Sequence, residues 1–293
     1  MKHVAAFLFF CAAAAAQQRV VSNAQQRIVS TAPSITEILY ALGLGDRVVG
    51  VTRYCRYPPE AQSKPKIGDY INPNLEAIAS LRPDLVIIQT NPVRLAERLT
   101  TLRLRSLEVN QENIEAIYRS IRIIGKATDT EARGEQQIAA LQNGLGAIRA
   151  RSVRLKPTRV MFVVGRAPKR LDGLIAVGKA SYLNELIALA GGENIFTDAV
   201  AAYPQISFEE VLARNPEVVI DFGDMANPAA VSDAHKRDVV SVWQRAASLE
   251  AVKNHRVHAV AADLFVVPGP RAVQAAQAIF DLLHPVYTKS GLH

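Results

Sequence analysis

At 293 residues and 49% hydrophobic, the chain is long enough for two domains with cores of their own, and no low-complexity tract argues for disorder. Its net charge of +7 is spread along the sequence and not gathered into a patch, which argues against nucleic-acid binding. With only two cysteines, Cys11 and Cys55, stability has to come from packed cores and not from a disulfide framework.

Residues 1–16, MKHVAAFLFFCAAAAA, have a basic start, an apolar run too short to span a bilayer comfortably and an A-x-A end, the pattern of a signal peptide. Cleavage is expected near Ala16–Gln17, leaving Cys55 alone and an exported, periplasmic protein. Two rival readings are a lipoprotein acylated at Cys11, against which Phe10 stands where a small residue is wanted, and a membrane-anchored signal. No later segment is long and apolar enough to cross a membrane.

The first lobe is expected over 27–126. It opens on a strand, RIVST (27–31), then a helix from Ser34 with Ile35, Ile38, Leu39 and Leu42 on one face; Ser34 and Glu37 have capping-box spacing. DRVVGVT (46–52) reads as the next strand, and after it comes an irregular stretch rich in proline and tyrosine (53–74). The segment NLEAIASLRPDLVII (74–88) reads as a short capped helix, a proline stop and an apolar strand. It returns at a constant offset as SFEEVLARNPEVVI (207–220), so that Glu76 answers Glu209 and Pro83 answers Pro216. LVII and VVI lack alternation and suit parallel strands covered on both faces. The echo of TEILYALG (36–43) in NELIALAG (184–191) supports the same reading, an internal duplication giving two Rossmann-like α/β lobes.

Between the repeats, 127–156 carries a stripe of Ile138, Leu141, Leu145 and Ile148, stopped by Pro157, and Thr128 with Glu131 offers a second capping box. It is expected to be one long connecting helix; Gly134, Gly144 and Gly146 leave open two shorter helices with a hinge. The second lobe is expected over 157–293, from the strand TRVMFVVG (158–165) to a closing helix from Arg271.

An enzyme is not indicated. There is no G-x-S-x-G elbow, no H-E-x-x-H and no complete phosphate loop, and His255 and His258 at odd spacing on a strand would point to opposite faces. The loops after the strands offer aromatic rings instead: Tyr54, Tyr57, Tyr70, Tyr203 and Phe265, held by prolines and suited to a large planar ligand. Tyr57 and Tyr203 are equally readable as core fillers. Cys55 is readable as a metal ligand or as a small buried hydrophobe.

The order of RIVSTAPSITEILYALGLGDRVVG, YCRYPP, DYINPNLE, GGENIF, YPQISFEEVLARNPEVVI and PGPRAVQAAQAIFDLLHP resembles the periplasmic binding proteins of the vitamin B12 and ferric-siderophore class, over about 27–285. YCRYPP and DYINPNLE are most similar to cobalamin-binding members. The resemblance implies a substrate-binding subunit of an ABC importer, two lobes joined by one long helix, no cofactor, and a cobalamin-like corrinoid in the cleft. Tyr54, Tyr70, Tyr203, Asp263 and Phe265 are the implied ligand contacts, with tyrosine at Tyr70 and Tyr203 where cobalamin proteins carry tryptophan. Glu76 and Glu209 are the implied docking carboxylates for a two-fold importer; stabilisation of each helix start by a first-turn acid is the alternative. A ferric siderophore or haem is the rival ligand, favoured if Arg53, Arg166 and Arg271 cluster at the cleft. A monomer is expected.

Overall fold

In the computed structural model, which describes residues 26–90, 94–223 and 232–285, the chain opens on β1 (Ile28–Ser30) with all three residues buried. The expected leader, with Cys11 and the Ala16–Gln17 junction, lies outside the described residues. Helix α1 (Pro33–Ala41) leads to β2 (Val48–Val51), and α2 (Leu75–Ser80) to β3 (Leu85–Gln89). Helix α3 (Leu95–Thr101), β4 (Ser106–Val109) and α4 (Ile114–Ala127) complete the first half. Its strands form a parallel sheet in the order β2-β1-β3-β4. The central strands β1 and β3 are buried on both faces, which is why their sequence does not alternate.

Helix α5 (Glu131–Ser152) crosses to β5 (Thr158–Gly165), followed by β6 (Leu174–Ala176), α6 (Tyr182–Leu189), β7 (Gly192–Asn194) and β8 (Gln205–Ile206). Helix α7 (Phe208–Arg214) and β9 (Val218–Asp221) are the second copy of the repeated unit. Then come α8 (Asp233–Trp243), α9 (Glu250–Lys253), β10 (Val257–Ala259), α10 (Ala262–Val266) and α11 (Ala272–Leu283). Strand β5 pairs in parallel with β7 and β9, and β9 with β10. The order β7-β5-β9-β10 therefore reproduces β2-β1-β3-β4, the topological signature of the duplication seen in the sequence. The second sheet adds an antiparallel pair, β6 and β8, on the distal part of β5. That pair is absent from the repeat and falls where the sequence reads as loop.

Helix α5 is continuous over 22 residues, about 33 Å at 1.5 Å per residue. Two of its three glycines sit at contacts with neighbouring helices, and the third, Gly146, faces open space. A Cβ on Gly144 would sit 2.7 Å from the Val273 side chain of α11, and one on Gly134 would sit 3.6 Å from Ile121 of α4. Ile138, Leu141, Leu145 and Ile148 are all buried, in a cluster that also contains Ile28 and Leu39 from the first half and Phe162, Leu186 and Phe280 from the second. The two lobes thus share one inner core through α5, while Val29, Val86 and Ile78 on one side and Met161, Val219 and Trp243 on the other form separate outer clusters.

Of the helix starts, Asn74 accepts from Ala77 N at 3.0 Å and Ser207 from Glu210 N at 3.1 Å, as their positions predict. Two expected capping boxes do not form. Ala32 is the N-cap of α1, so Ser34 lies inside the helix and Glu37 is freed for another partner. Thr128 ends α4, its hydroxyl donating to Ile124 O, and Thr130 precedes α5.

Candidate functional site

The carboxyl ends of the parallel strands and the loops beyond them converge on an open cleft of about 630 Å³ between the two halves. From the first half come Pro33 and Ser34 after β1, Tyr54 and Tyr70 after β2, Gln89 at the end of β3 and Gln111 after β4. The second half contributes Ser181 and Tyr182 at the start of α6, Tyr203, and the segment from Val266 to Pro268.

Tyr54 and Tyr203 are each 48% exposed, so neither fills a core, and with Tyr70 they border the same cleft. Tyr70 rests partly against the inner core, and burial raises its phenol above the usual tyrosine value. Its loop is held by Asp69, whose Oδ1 accepts from Ile71 N at 3.0 Å and Asn72 N at 2.6 Å. Gly68 makes that turn feasible: at φ +93° an added Cβ would meet Asn72 O at 2.9 Å. Ile71, 64% exposed, stands on the rim.

Phe265 is placed differently from the expectation. The short helix α10 turns its ring into the inner core, 5.4 Å from Phe162 and 6.0 Å from Phe222, where it is 3% exposed. Its backbone carbonyl accepts from the Tyr182 hydroxyl, and Val266 and Val267 face the cleft in its place. Reading DLFVVPGP as a loop missed this because the segment begins as helix. Asp263 does not border the cleft either: it flanks a neighbouring cavity with Arg53, Arg56 and Lys66, and its Oδ2 lies 3.0 Å from Arg271 Nη2.

Arg271, at the start of α11, reaches across to the first half. Its Nε is 3.0 Å from both carboxylate oxygens of Glu37 on α1, and its guanidinium lies 4.4 Å from the centre of the Tyr57 ring. Tyr57 is therefore neither a core filler nor a cleft wall; it stacks on this bridge. Burial pushes the Glu37 carboxyl up to about 7, with Arg271 pulling the other way. Sequence reasoning missed Glu37 because the capping-box spacing explained it locally.

Cys55 is 1% exposed, with Thr36 Oγ1 and Thr52 Oγ1 at 3.1 and 3.2 Å from its sulfur, and burial raises its thiol above the usual value. That is the environment of a buried small residue. His258 is the one histidine of the HRVH pair within β10, and His255 lies before it at φ +54°. Among the described residues no group of three His, Cys, Asp or Glu side chains is close enough together to hold a metal ion.

The arginines that would recognise an anionic chelate are compensated. Arg53 lies 3.5 Å from Asp69, Arg166 2.8 Å from Asp221, and Arg271 is held by Glu37 and Asp263. None of the three borders the aromatic cleft, whereas Glu112 does. Glu76 and Glu209 stand in the first turns of α2 and α7, exposed and without an ion-pair partner among the described residues. The polar residues Ser34, Gln89 and Gln111 were missed as cleft residues; the signal available was position, since each follows or ends a strand of the first sheet.

The sequence profile of the family described as "Periplasmic binding protein" matches residues 28–264. A vitamin B12-binding protein of Vibrio cholerae serotype O1 is 30% identical over 256 residues, 87% of each chain. The crystal structure of the periplasmic vitamin B12 binding protein BtuF of Vibrio cholerae is similar at a TM-score of 0.74 and 29% identity, over 89% of this chain and 98% of that one. The periplasmic heme-binding protein RhuT of Roseiflexus sp. RS-1, in apo form, is similar at a TM-score of 0.74 and 28% identity, over 88% of this chain and 99% of that one.

Proposed function

Because this chain belongs to the periplasmic binding protein family, we propose that it is an exported capture subunit of an ABC importer that holds a cobalamin-like corrinoid in the cleft between its halves. The observation that carries the ligand class is the pairing of charge with shape. The cleft has aromatic and aliphatic walls, and Arg53, Arg166 and Arg271 are each neutralised by a carboxylate outside it. The haem propionates and the catecholate or carboxylate ferric siderophores bring net negative charge that an uncompensated cation would favour; a corrinoid rimmed by neutral amides has less need of one. Glu112 on the cleft edge adds a repulsion against any anionic group placed beside it. The likeness to B12-binding relatives points the same way.

Tyr54, Tyr70 and Tyr203 are assigned the ring contacts. The shared inner core and the bridge from Glu37 to Arg271 keep the cleft preformed, so little ordering cost falls on binding. Glu76 and Glu209, carried on the same turn of the repeated helix in each half, suit a two-fold membrane partner, and their exposure leaves both carboxylates available to its cations. The protein is assigned to the periplasm as a monomer, with tethering through Cys11 decided by the mass of the processed N-terminus.

Parallel calorimetric and spectroscopic titrations against cyanocobalamin, cobinamide, hemin and a ferric siderophore test the reading. Corrinoid binding at micromolar Kd or tighter, with at least tenfold weaker binding of both iron chelates, is expected. Binding of an iron chelate with no response to either corrinoid would overturn it.

A further inference from the structure

Gln111 is 1% exposed and still borders the cleft. Its Oε1 accepts from the Ser34 hydroxyl at 3.3 Å, while its buried Nε2 has no hydrogen-bond partner among the described residues. Exchanging the amide oxygen and nitrogen would still leave one half of the carboxamide unpaired, then as an acceptor in need of an N–H, so a ligand group that carries both a carbonyl oxygen and an N–H meets either assignment. A buried unpaired amide is destabilising, so its presence beside a cavity calls for a partner that arrives with the occupant.

A second feature lies beside it. Ser34 stands in the first turn of α1, a nine-residue helix whose N-cap, Ala32, offers no side-chain hydrogen bond. Its positive end therefore opens toward the cleft at Pro33 and Ser34. With Nε2 as the free half of Gln111, both features favour an oxygen acceptor. Glu112, next in the chain and exposed on the same cleft, disfavours a carboxylate and can accept from an N–H. An uncharged group that presents a carbonyl oxygen and an N–H together satisfies all of these, and that group is a carboxamide.

The geometry points to a carboxamide subsite on the first-half floor of the cleft, where Gln111 Nε2 donates to the carbonyl oxygen of a ligand amide and Ser34 holds the Gln111 side chain in place. This rests on the capture of an amide-bearing corrinoid proposed above and names the contact that selects it.

The test titrates wild type, Gln111→Leu, Gln111→Glu and Ser34→Ala with cyanocobalamin and with hemin, and records thermal unfolding of each. The Leu variant is expected to bind cyanocobalamin about tenfold more weakly with an unchanged or raised Tm, since it removes an unpaired buried amide. Gln111→Glu, nearly isosteric, is expected to lose more, and it serves as the test if the Leu variant does not fold. The side-chain amide resonances of Gln111, assigned by their loss in the variants, are expected to shift when cyanocobalamin is added to wild type. Unchanged affinity in both Gln111 variants, or an unshifted resonance at saturation, means a structural glutamine only and overturns the subsite. Wild type that binds cyanocobalamin while the variants match it sinks the subsite but not the proposed function; wild type that binds only hemin, or neither probe, sinks both.

Discussion

Replacing Glu37 by glutamine removes the one ionisable group of the interlobe bridge that titrates near neutral pH. The carboxyl is raised from 4.5 to about 7, chiefly by burial, although Arg271 stands 3.0 Å away. Between those two values the unfolded chain has released a proton that the folded protein still holds. The contribution of Glu37 to stability is therefore fully present below pH 4.5 and is lost as pH rises through about 7. A displacement of this size corresponds to about 3 kcal/mol over the whole window. The substituted carboxamide would be neutral throughout and would keep the polar contact to Arg271, whose charge Asp263 still balances. The assay is urea unfolding followed by circular dichroism on wild type and Glu37→Gln at pH 5, 6, 7 and 8. Wild-type stability relative to the variant is expected to fall by about 2–3 kcal/mol across the series, most steeply between the two values and levelling off above pH 7. A difference that stays flat, or that grows with pH, would show that Arg271 keeps Glu37 ionised throughout and would refute burial as the dominant effect.

The remaining expectations concern the cleft, the docking carboxylates and the second lobe. Tyr54→Ala and Tyr203→Ala each remove a half-exposed ring, so corrinoid affinity is expected to drop about tenfold to a hundredfold by calorimetry while Tm moves little; an unchanged affinity in both would remove the aromatic walls from the binding account. Reversal of charge at both Glu76 and Glu209 is expected to leave ligand affinity intact and abolish importer-dependent uptake in reconstituted vesicles, and uptake that survives would exclude docking through these residues. Asp221 is fully buried and accepts from Arg166 Nε at 2.8 Å and Trp243 Nε1 at 2.7 Å. Asp221→Ala leaves that arginine buried and unpaired, so a loss of about 3–5 kcal/mol in urea unfolding is expected; a loss under about 1 kcal/mol would mean that the network relaxes around the change.

Local pattern carried most of the fold. The recurrence of a capped helix, a proline and a non-alternating apolar run announced two parallel sheets, and the order of their strands repeats accordingly. The apolar stripe of 131–152 was legible because its spacing belongs to the helix itself. Whether its glycines bend the helix was not legible, since the answer lies in what α4 and α11 bring against them. The extra strands β6 and β8 are three and two residues long and pair only with each other and with β5, so no local periodicity marks them.

For the cleft, the tyrosines were readable as rings fixed in loops after strands, a rule of position that needs no coordinates. Phe265 failed the same rule because a single helical turn, α10, rotates it into a cluster with Phe162 and Phe222, residues distant in the chain. Glu37, Arg271 and Gln111 acquired their roles from partners 234 and 77 residues away, and the pairing of side chains at such separations depends on how two lobes close upon one helix. Sequence alone settled the repeated units, the parallel strands and the aromatic loops, all consequences of interactions within a few residues or of burial pattern. Only the tertiary structure decided which charges cancel, which rings face solvent and which buried amide is left unpaired, because desolvation and partnership are properties of the assembled whole.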